Sequence, residues 1–590
     1  MNAPQSNSER WSKTDYRLAW ILGLATFILG SLTGAASVGD ADNAEFVMVA
    51  LYGGVAHPPG YPLYAILLRS VGMLLEGAAS PVWRLGLLSS ASCGLAAVIF
   101  FFVLRRLHFS RWATALTVLW TFLSLPIWRM SNLVEPFALH VLLITAIVFC
   151  TQTLFEDFEN TKKVVALGFL WGLAFCHHHT MVFMIPLVVW VLLSAKPDVR
   201  FWLGRVPKFL FGFGLGCFPL AYFFAHDMSG AFVWGDWAES GRLWNHLFRT
   251  EYGTFQLVPG TQDNQGRGLH ALLKSLPEGW GYMGLLVLLL GVGRSMADRH
   301  QPIQTLWTRA FGVCLLVYLV LFLGMANLPS DDPNFTVVQR FLAQAYLLMG
   351  IFLAKGLDGL NDWYQKRSKR PTVMALLPVV LLLHVTQTFP KADRGNENFV
   401  QEHAQNILSL TEPGDVLITH NDLETFSLMY MNQKLGKKVT VIPLGMMGMP
   451  WFRHRILNQF DLQDEADDLK SMFEGLNAQT RLVWVEPSGF AQHSHAPERF
   501  YPLGPVFMVP RTGQEVPDPV AVFAQNKMRY DNDFVLPKPS DPVALTTRVE
   551  RELFGKYGVP WAILCDSLKA MKAGSMHEAC IWAKQFKGAP

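Results

Sequence analysis

Apolar residues in this chain fall into long uninterrupted runs rather than at the spacing of a half-buried strand or a surface helix. Eleven runs read as membrane helices: Leu18–Ser37, Leu85–Leu104, Trp112–Trp128, Leu133–Thr153, Val164–His178, Met181–Ala195, Phe209–Ala225, Trp280–Gly293, Ala310–Ala326, Phe341–Ala354 and Thr372–Phe389. Several are shorter than the roughly 17–25 residues that a crossing needs, so their ends are only approximate. From residue 390 the pattern changes. Asp415–His420 reads as a buried strand, Glu424–Leu435 as a helix and Lys438–Pro443 as a second strand, with further strands expected at Arg481–Val485 and Val506–Val509. The expected fold is a polytopic α-helical membrane protein of about 11 transmembrane helices, with a C-terminal extracytoplasmic α/β domain at 390–590.

Composition agrees with a membrane class. Hydrophobic residues make up 51% and charged residues 16%, against about 25% charged in soluble proteins. Basic residues cluster in alternate loops, as in Lys366-Arg367-Ser368-Lys369-Arg370. The positive-inside rule then makes 1–17 cytoplasmic and sets the first loop (38–84), the long loop (226–279) and the tail outside. Pro62–Ala79 must then lie along the outer face, which Arg69 and its Pro/Gly entry allow. The net charge of +3 belongs to cytoplasmic loops, so no nucleic-acid partner is expected. The first apolar run exceeds the roughly 7–15 residues of a signal-peptide core, so no cleavable signal is expected. Of seven cysteines, Cys93, Cys150, Cys176, Cys217 and Cys314 fall in the apolar runs. Cys565 and Cys580 lie in the tail, where an extracytoplasmic compartment permits a disulfide.

The densest chemistry lies in Val38–Tyr64. Asp40, Asp42 and Glu45 follow directly on the first apolar run. Asp42 and Glu45 are three apart, so a helix would carry both on one face, with Asp40 as its cap. Such a carboxylate can take a proton from an acceptor hydroxyl; the plainer reading is a capped, solvated turn. Asp40-Ala41-Asp42 also has the form of a short metal motif, a weak signal. The corner His57-Pro58-Pro59-Gly60-Tyr61-Pro62 is rigid, and it either starts a helix or holds His57 near the carboxylates. Glu135, His140, His177, His178 and His179 sit near the outer ends of spans, where ionisable groups face polar cavities. Consecutive histidines diverge on a helix, so a metal is the lesser reading there. In the long loop, Trp234-Gly235-Asp236 precedes His246, Arg249, Tyr252 and Gly253, and a helix would align His246 with Arg249. Arg340 can bind a phosphate through its planar fork or anchor the interface by pairing with Asp331 or Asp332. No nucleotide-binding glycine loop, CxxC or internal repeat is present.

Together these stretches resemble the GT-C superfamily of integral-membrane glycosyltransferases. Within it they are most similar to the transmembrane O-mannosyltransferase family formerly catalogued as a domain of unknown function. Asp42-Asn43-Ala44-Glu45-Phe46 resembles the family's Asp-Ser-Gly-Glu-Phe, and Ala56-His57-Pro58-Pro59-Gly60-Tyr61-Pro62-Leu63-Tyr64 follows at the expected distance. Weaker likenesses occur at Glu135–Leu139, at Gly172-Leu173-Ala174 with His178, in the long-loop motif and at Pro413–Leu417. The resemblance implies a polyprenyl-phosphate-linked sugar, with mannose the first candidate, as donor and a Ser/Thr hydroxyl of an extracytoplasmic protein as acceptor, with inversion at the anomeric carbon. It implies Asp42 as first choice of base and Glu45 as second. It implies substrate-binding roles for Asp40, His57, Tyr61, Glu135, His178, Asp236, His246, Arg249, Tyr252 and Arg340. A divalent metal is left open, because the superfamily contains both kinds. The same chemistry on a lipid or glycan acceptor, or a transporter or flippase, are the competing readings. The expected membrane is a bacterial inner membrane with a periplasmic site; an endoplasmic-reticulum membrane with a luminal site has the same topology.

Overall fold

Small hydroxyl residues set where the first long helices begin. Ser12, Ser80 and Ser110 each accept a hydrogen bond from the first turn of the helix that follows, satisfying donors that the helix leaves open. Ser12 and Asp15 form a full capping box. The computed structural model describes residues 11–39, 42–77, 79–195, 199–225, 232–237, 241–251, 266–297, 302–325, 335–367, 372–462, 469–485, 498–537, 545 and 547–586.

Among the described residues, seven helices are long and apolar enough to cross a membrane: Lys13–Leu32, Pro81–Arg106, Phe137–Glu156, Arg200–Phe224, Arg267–Ala297, Pro302–Gly324 and Val338–Lys366. The other predicted spans fall on shorter or broken helices. Trp112–Trp128 is divided into Arg111–Phe122 and Leu125–Ser131. Ser124 restarts the chain there and Pro126 lies in the first turn of the new helix, a placement that an apolar count does not register. Val164–His178 ends at Phe175. Met181–Ala195 begins as a 3-10 turn, His179–Met184, before the helix Ile185–Ala195.

The chain divides into two compact units. The helical unit comprises residues 1–35, 57–226 and 245–395. Its helices approach closely where side chains are small. Thr161–Phe175 meets Val206–Gly216 through Gly168 and Gly172 facing Gly212 and Gly216; a Cβ at Gly172 would lie 2.2 Å from the Phe213 carbonyl oxygen. Buried Asp15 accepts from Arg105 at 3.0 Å and from Arg111 at 2.9 Å, tying the first helix to its neighbours.

The sheet unit comprises residues 36–56, 227–244 and 396–590, so two segments from the first and long loops belong to it. Those segments contribute a two-stranded parallel pair, β1 (Gly54–Val55) and β2 (Phe232–Val233). The tail contributes β3 (Val416–Thr419), β4 (Thr440–Pro443), β5 (Leu482–Trp484), β6 (Tyr501–Leu503) and β7 (Val506–Val509), in the order β4-β3-β5-β7-β6. β3 runs parallel to β4 and β5, whereas β7 is antiparallel to β5 and β6. Helix Asp422–Leu435 makes the β3–β4 crossover. The Asn421 side chain caps it, and Gly436, in the left-handed region, ends it. Beyond the sheet, helices Pro519–Asn532, Arg548–Lys556, Gly558–Ala570 and Met576–Phe586 enclose an aromatic core with Phe399, Tyr530, Tyr557 and Trp561. Cys565 and Cys580 are joined by a disulfide.

Candidate functional site

In the sheet unit, the acidic loop folds as helix Asn43–Tyr52, with Glu45 in its first turn. The N-cap is Asp42 rather than Asp40, and its side chain makes no capping bond. Asp40 lies outside the described residues. Glu45 is fully buried and Asp42 half-buried. Val47, Met48 and Val49 are buried as well, so this short helix is a packed element rather than a solvated turn. It lies against helix Asp422–Leu435, with the Tyr52 and Tyr430 ring centroids 6.4 Å apart. Gly53 caps its C-terminus and β1 follows at once. Asp236, of the predicted long-loop set, is exposed just beyond β2, within electrostatic range of Arg455.

In the helical unit, the proline corner contains a cis Pro58–Pro59 bond and turns at Gly60. Tyr61 then adopts φ 45°, a left-handed backbone that costs free energy for a side-chain-bearing residue and recurs at functional sites. Its ring is buried, 5.4 Å from His57 and 5.9 Å from His178 between centroids. The Leu63 N–H donates to the Cys176 carbonyl at 3.2 Å, joining the corner to the turn that carries the histidines. Gly60 leaves room for the buried His246 ring; a Cβ there would come within 2.7 Å of Nε2.

His178 belongs to a buried polar chain. The Thr180 N–H donates to His178 Nδ1 at 3.2 Å, so the neutral ring carries its proton on Nε2. Thr180 Oγ1 lies 2.7 Å from that Nδ1 and 3.0 Å from His140 Nε2. His140 Nε2 in turn lies 3.1 Å from Gln344 Oε1. Neighbouring His177 donates from Nε2 to the Pro136 carbonyl at 2.8 Å. His177 and His178 therefore serve different partners, the Pro136 carbonyl and Thr180. Among the described residues, no group of three or more His, Cys, Asp or Glu is placed to hold a metal ion.

Arg340 pairs with Glu135 at 3.5 Å; Asp331 and Asp332, the partners suggested by the sequence, lie outside the described residues. Phe137 and Phe341 flank its guanidinium at 5.8 Å and 5.9 Å. Helix Arg242–Leu247 ends before Arg249, whose φ of 56° takes it out of any helical face shared with His246. Arg249 is within electrostatic reach of His178 and His179. Tyr252 lies outside the described residues. The helical unit thus gathers His57, Tyr61 and His178 around one turn, with Glu135 paired to Arg340. Sequence reasoning did not single out Thr180 or Gln344. The available signal was their spacing, two residues beyond His178 and four beyond Arg340.

Residues 42–200 match the family model described as the protein O-mannosyl-transferase TMEM260 N-terminal domain. Protein O-mannosyl-transferase TMEM260 of Mus musculus is 25% identical over 469 residues, covering 76% of this chain and 66% of that protein. Protein O-mannosyl-transferase tmem260 of Dictyostelium discoideum is 22% identical over 474 residues, covering 73% and 58%. The matched stretch thus spans less than two thirds of either relative. Among solved structures, the crystal structure of ArnT from Cupriavidus metallidurans bound to undecaprenyl phosphate superposes with a TM-score of 0.51 at 12% identity, covering 83% of this chain and 96% of that one. The chain thus resembles the TMEM260 protein O-mannosyl-transferase family, through the N-terminal domain at residues 42–200, and its fold is similar to that of ArnT.

Proposed function

We propose that this protein transfers a sugar, mannose in the first instance, from a polyprenyl-phosphate donor to a Ser/Thr hydroxyl of an extracytoplasmic protein. The observation that carries the reading is the packed helix Asn43–Tyr52. It brings Asp42 and Glu45 to one helix start, inside the stretch that matches the O-mannosyl-transferase domain. In the reaction the acceptor oxygen bonds to the anomeric carbon as the bond from that carbon to the lipid phosphate oxygen breaks. The leaving oxygen keeps the bonding electrons, and the acceptor proton passes to a carboxylate. Asp42, half-buried, is assigned as base; Glu45, fully buried, is second choice. Charge growing on the lipid phosphate calls for fixed donors, a role assigned to Arg340, Arg249 and His57. His178, with its proton on Nε2, supplies a neutral donor for a sugar hydroxyl. Tyr61, Glu135, His246 and Asp236 complete the proposed substrate set, together with Asp40 and Tyr252. The hydrophobic flank of the first loop, at the lipid bilayer, is assigned to hold the prenyl chain.

Transfer by the purified protein in lipid nanodiscs tests the reading. Polyprenyl-phosphate mannose and other prenyl-linked hexoses are offered with separate pools of protein, glycolipid and glycan acceptors. Labelled sugar on serine or threonine supports it, and label confined to lipid or glycan moves the acceptor class. No transfer from any donor, with lipid or solute distribution altered in cells lacking the protein, favours a transporter.

A further inference from the structure

The helix bearing the candidate base is joined by its own C-terminus to a strand that the tail grips. Gly53 closes the helix and Gly54 enters β1. β1 pairs with β2 in register, Gly54 with Phe232 and Val55 with Val233, and the Trp234 N–H donates to the Val55 carbonyl at 3.0 Å. This pairing leaves no room for a side chain at Gly54: a Cβ there would lie 1.7 Å from the Phe232 carbonyl oxygen. Both strands have only two residues, too few for an isolated pair to persist in water.

Arg455, on the tail helix Pro450–Phe460, supplies the missing hold. One terminal nitrogen of its guanidinium donates to the Val233 carbonyl at 3.0 Å and the other to the Gly235 carbonyl at 2.9 Å. This two-pronged bond fits a planar fork and not a point charge. Around it, Trp451 lies 5.8 Å from Trp234 between ring centroids and 5.0 Å from the Arg455 guanidinium. Buried Arg242 approaches the same Trp451 ring at 5.8 Å and occupies the space where a Gly235 side chain would lie. Phe232 packs on Phe426 of the crossover helix at 5.6 Å.

We infer that Arg455 is a positioning residue: by fixing the carbonyls of Val233 in β2 and of Gly235 just beyond it, Arg455 sets β1, and through β1 it sets the Asn43–Tyr52 helix and its carboxylates. The tail would then be part of the machinery for transfer rather than an appended domain. This inference rests on the reading of Asp42 or Glu45 as base. The order of influence runs from side chain to strand to helix, with no contact between Arg455 and substrate required.

The test compares full-length Arg455→Met and Arg455→Lys with wild type in nanodiscs, by sugar-transfer kinetics and by amide hydrogen exchange. Met keeps the apolar stem and removes both donors; Lys keeps the charge and a single donating group. The expected result is a kcat lower by roughly 10- to 100-fold in Arg455→Met, the scale of an ångström-sized misplacement, with partial recovery in Arg455→Lys. KM for the lipid-linked donor should stay within about twofold, because donor binding is not what is disturbed. Amides of residues 43–55 and 232–235 should exchange faster while those of β3–β5 do not. In a Gly54→Ala background, Arg455→Met should add little, since the same coupling is already broken. Should Arg455→Met fail to fold, Arg455→Lys decides alone: reduced kcat with fast exchange confined to the two loop segments supports the inference. Wild-type kcat and exchange in Arg455→Lys or Arg455→Met overturn it. If wild-type protein transfers no sugar, the functional reading fails by itself. The exchange data still judge the clamp, and unchanged exchange at 43–55 overturns it.

Discussion

Glu135 and Arg340 form an ion pair at 3.5 Å in which the carboxylate is fully buried and the guanidinium is 10% exposed. Removing one member of such a pair strands the other charge, a loss of about 3–5 kcal/mol. Glu135→Gln should therefore lower the thermal midpoint in detergent markedly more than Arg340→Lys, which keeps the charge. If Arg340 also contacts the donor phosphate, Arg340→Lys should retain stability but weaken donor binding about tenfold, because it loses the planar fork. Donor titration by intrinsic fluorescence separates the two effects.

Thr180 is the hinge of the histidine chain, within bonding distance of both His178 and His140. Thr180→Val keeps the side-chain shape and deletes the hydroxyl, at a cost of about 1–3 kcal/mol for the buried partners left behind. Transfer should fall by about tenfold, the equivalent of 1.4 kcal/mol. Thr180→Ser should recover most of it. Equal activity in all three proteins would remove His178 from the proposed donor set.

A buried acid contributes to the tail's response to low pH. Burial alone would raise the Glu424 carboxyl, but Lys556 at 2.8 Å and His403 at 2.9 Å outweigh it and bring it from 4.5 down to about 2. In the unfolded chain the group returns to its ordinary value, so the unfolded state binds more protons between those limits. Stability from this group is present above about pH 4.5 and is lost as pH falls toward 2. Denaturant melts of the tail's tryptophan signal should show that decline. Glu424→Gln should be less stable at neutral pH and should flatten the acid limb.

The Cys565–Cys580 bond closes a sequence separation of 15 residues beside the aromatic core. Loop-closure entropy gives such a bridge about 3 kcal/mol. Cys565→Ala with Cys580→Ala should lower the tail's unfolding free energy by about that amount and leave the Glu135–Arg340 pair untouched. Thiol titration of the wild type under denaturing, non-reducing conditions should find five free cysteines.

Much of this organisation was legible in the chain, for physical reasons. The motif Asp415–His420 is a short run of β-formers ending at turn residues, and β3 lies inside it. The acidic pair at Asp42 and Glu45 could be placed on one helix start because three-residue spacing has only one helical meaning. The break at Ser124 was hidden because proline inside an apolar run changes hydrogen bonding without changing hydropathy. Membership of residues 36–56 in the sheet unit was not readable at all. It depends on contacts between segments hundreds of residues apart, such as the Ser37 hydroxyl bonding Asn398 at 2.7 Å. Arg455 gave no signal for the same reason: its partners are backbone carbonyls, which every residue has.

The most direct trial of the account is single-turnover sugar transfer from polyprenyl-phosphate mannose to a protein acceptor, comparing wild type with Asp42→Asn and Glu45→Gln. The account predicts that Asp42→Asn binds donor as wild type does and folds as wild type does, yet transfers at least about 100-fold more slowly, the share that a positioned base supplies. Transfer at the wild-type rate in both variants would contradict it.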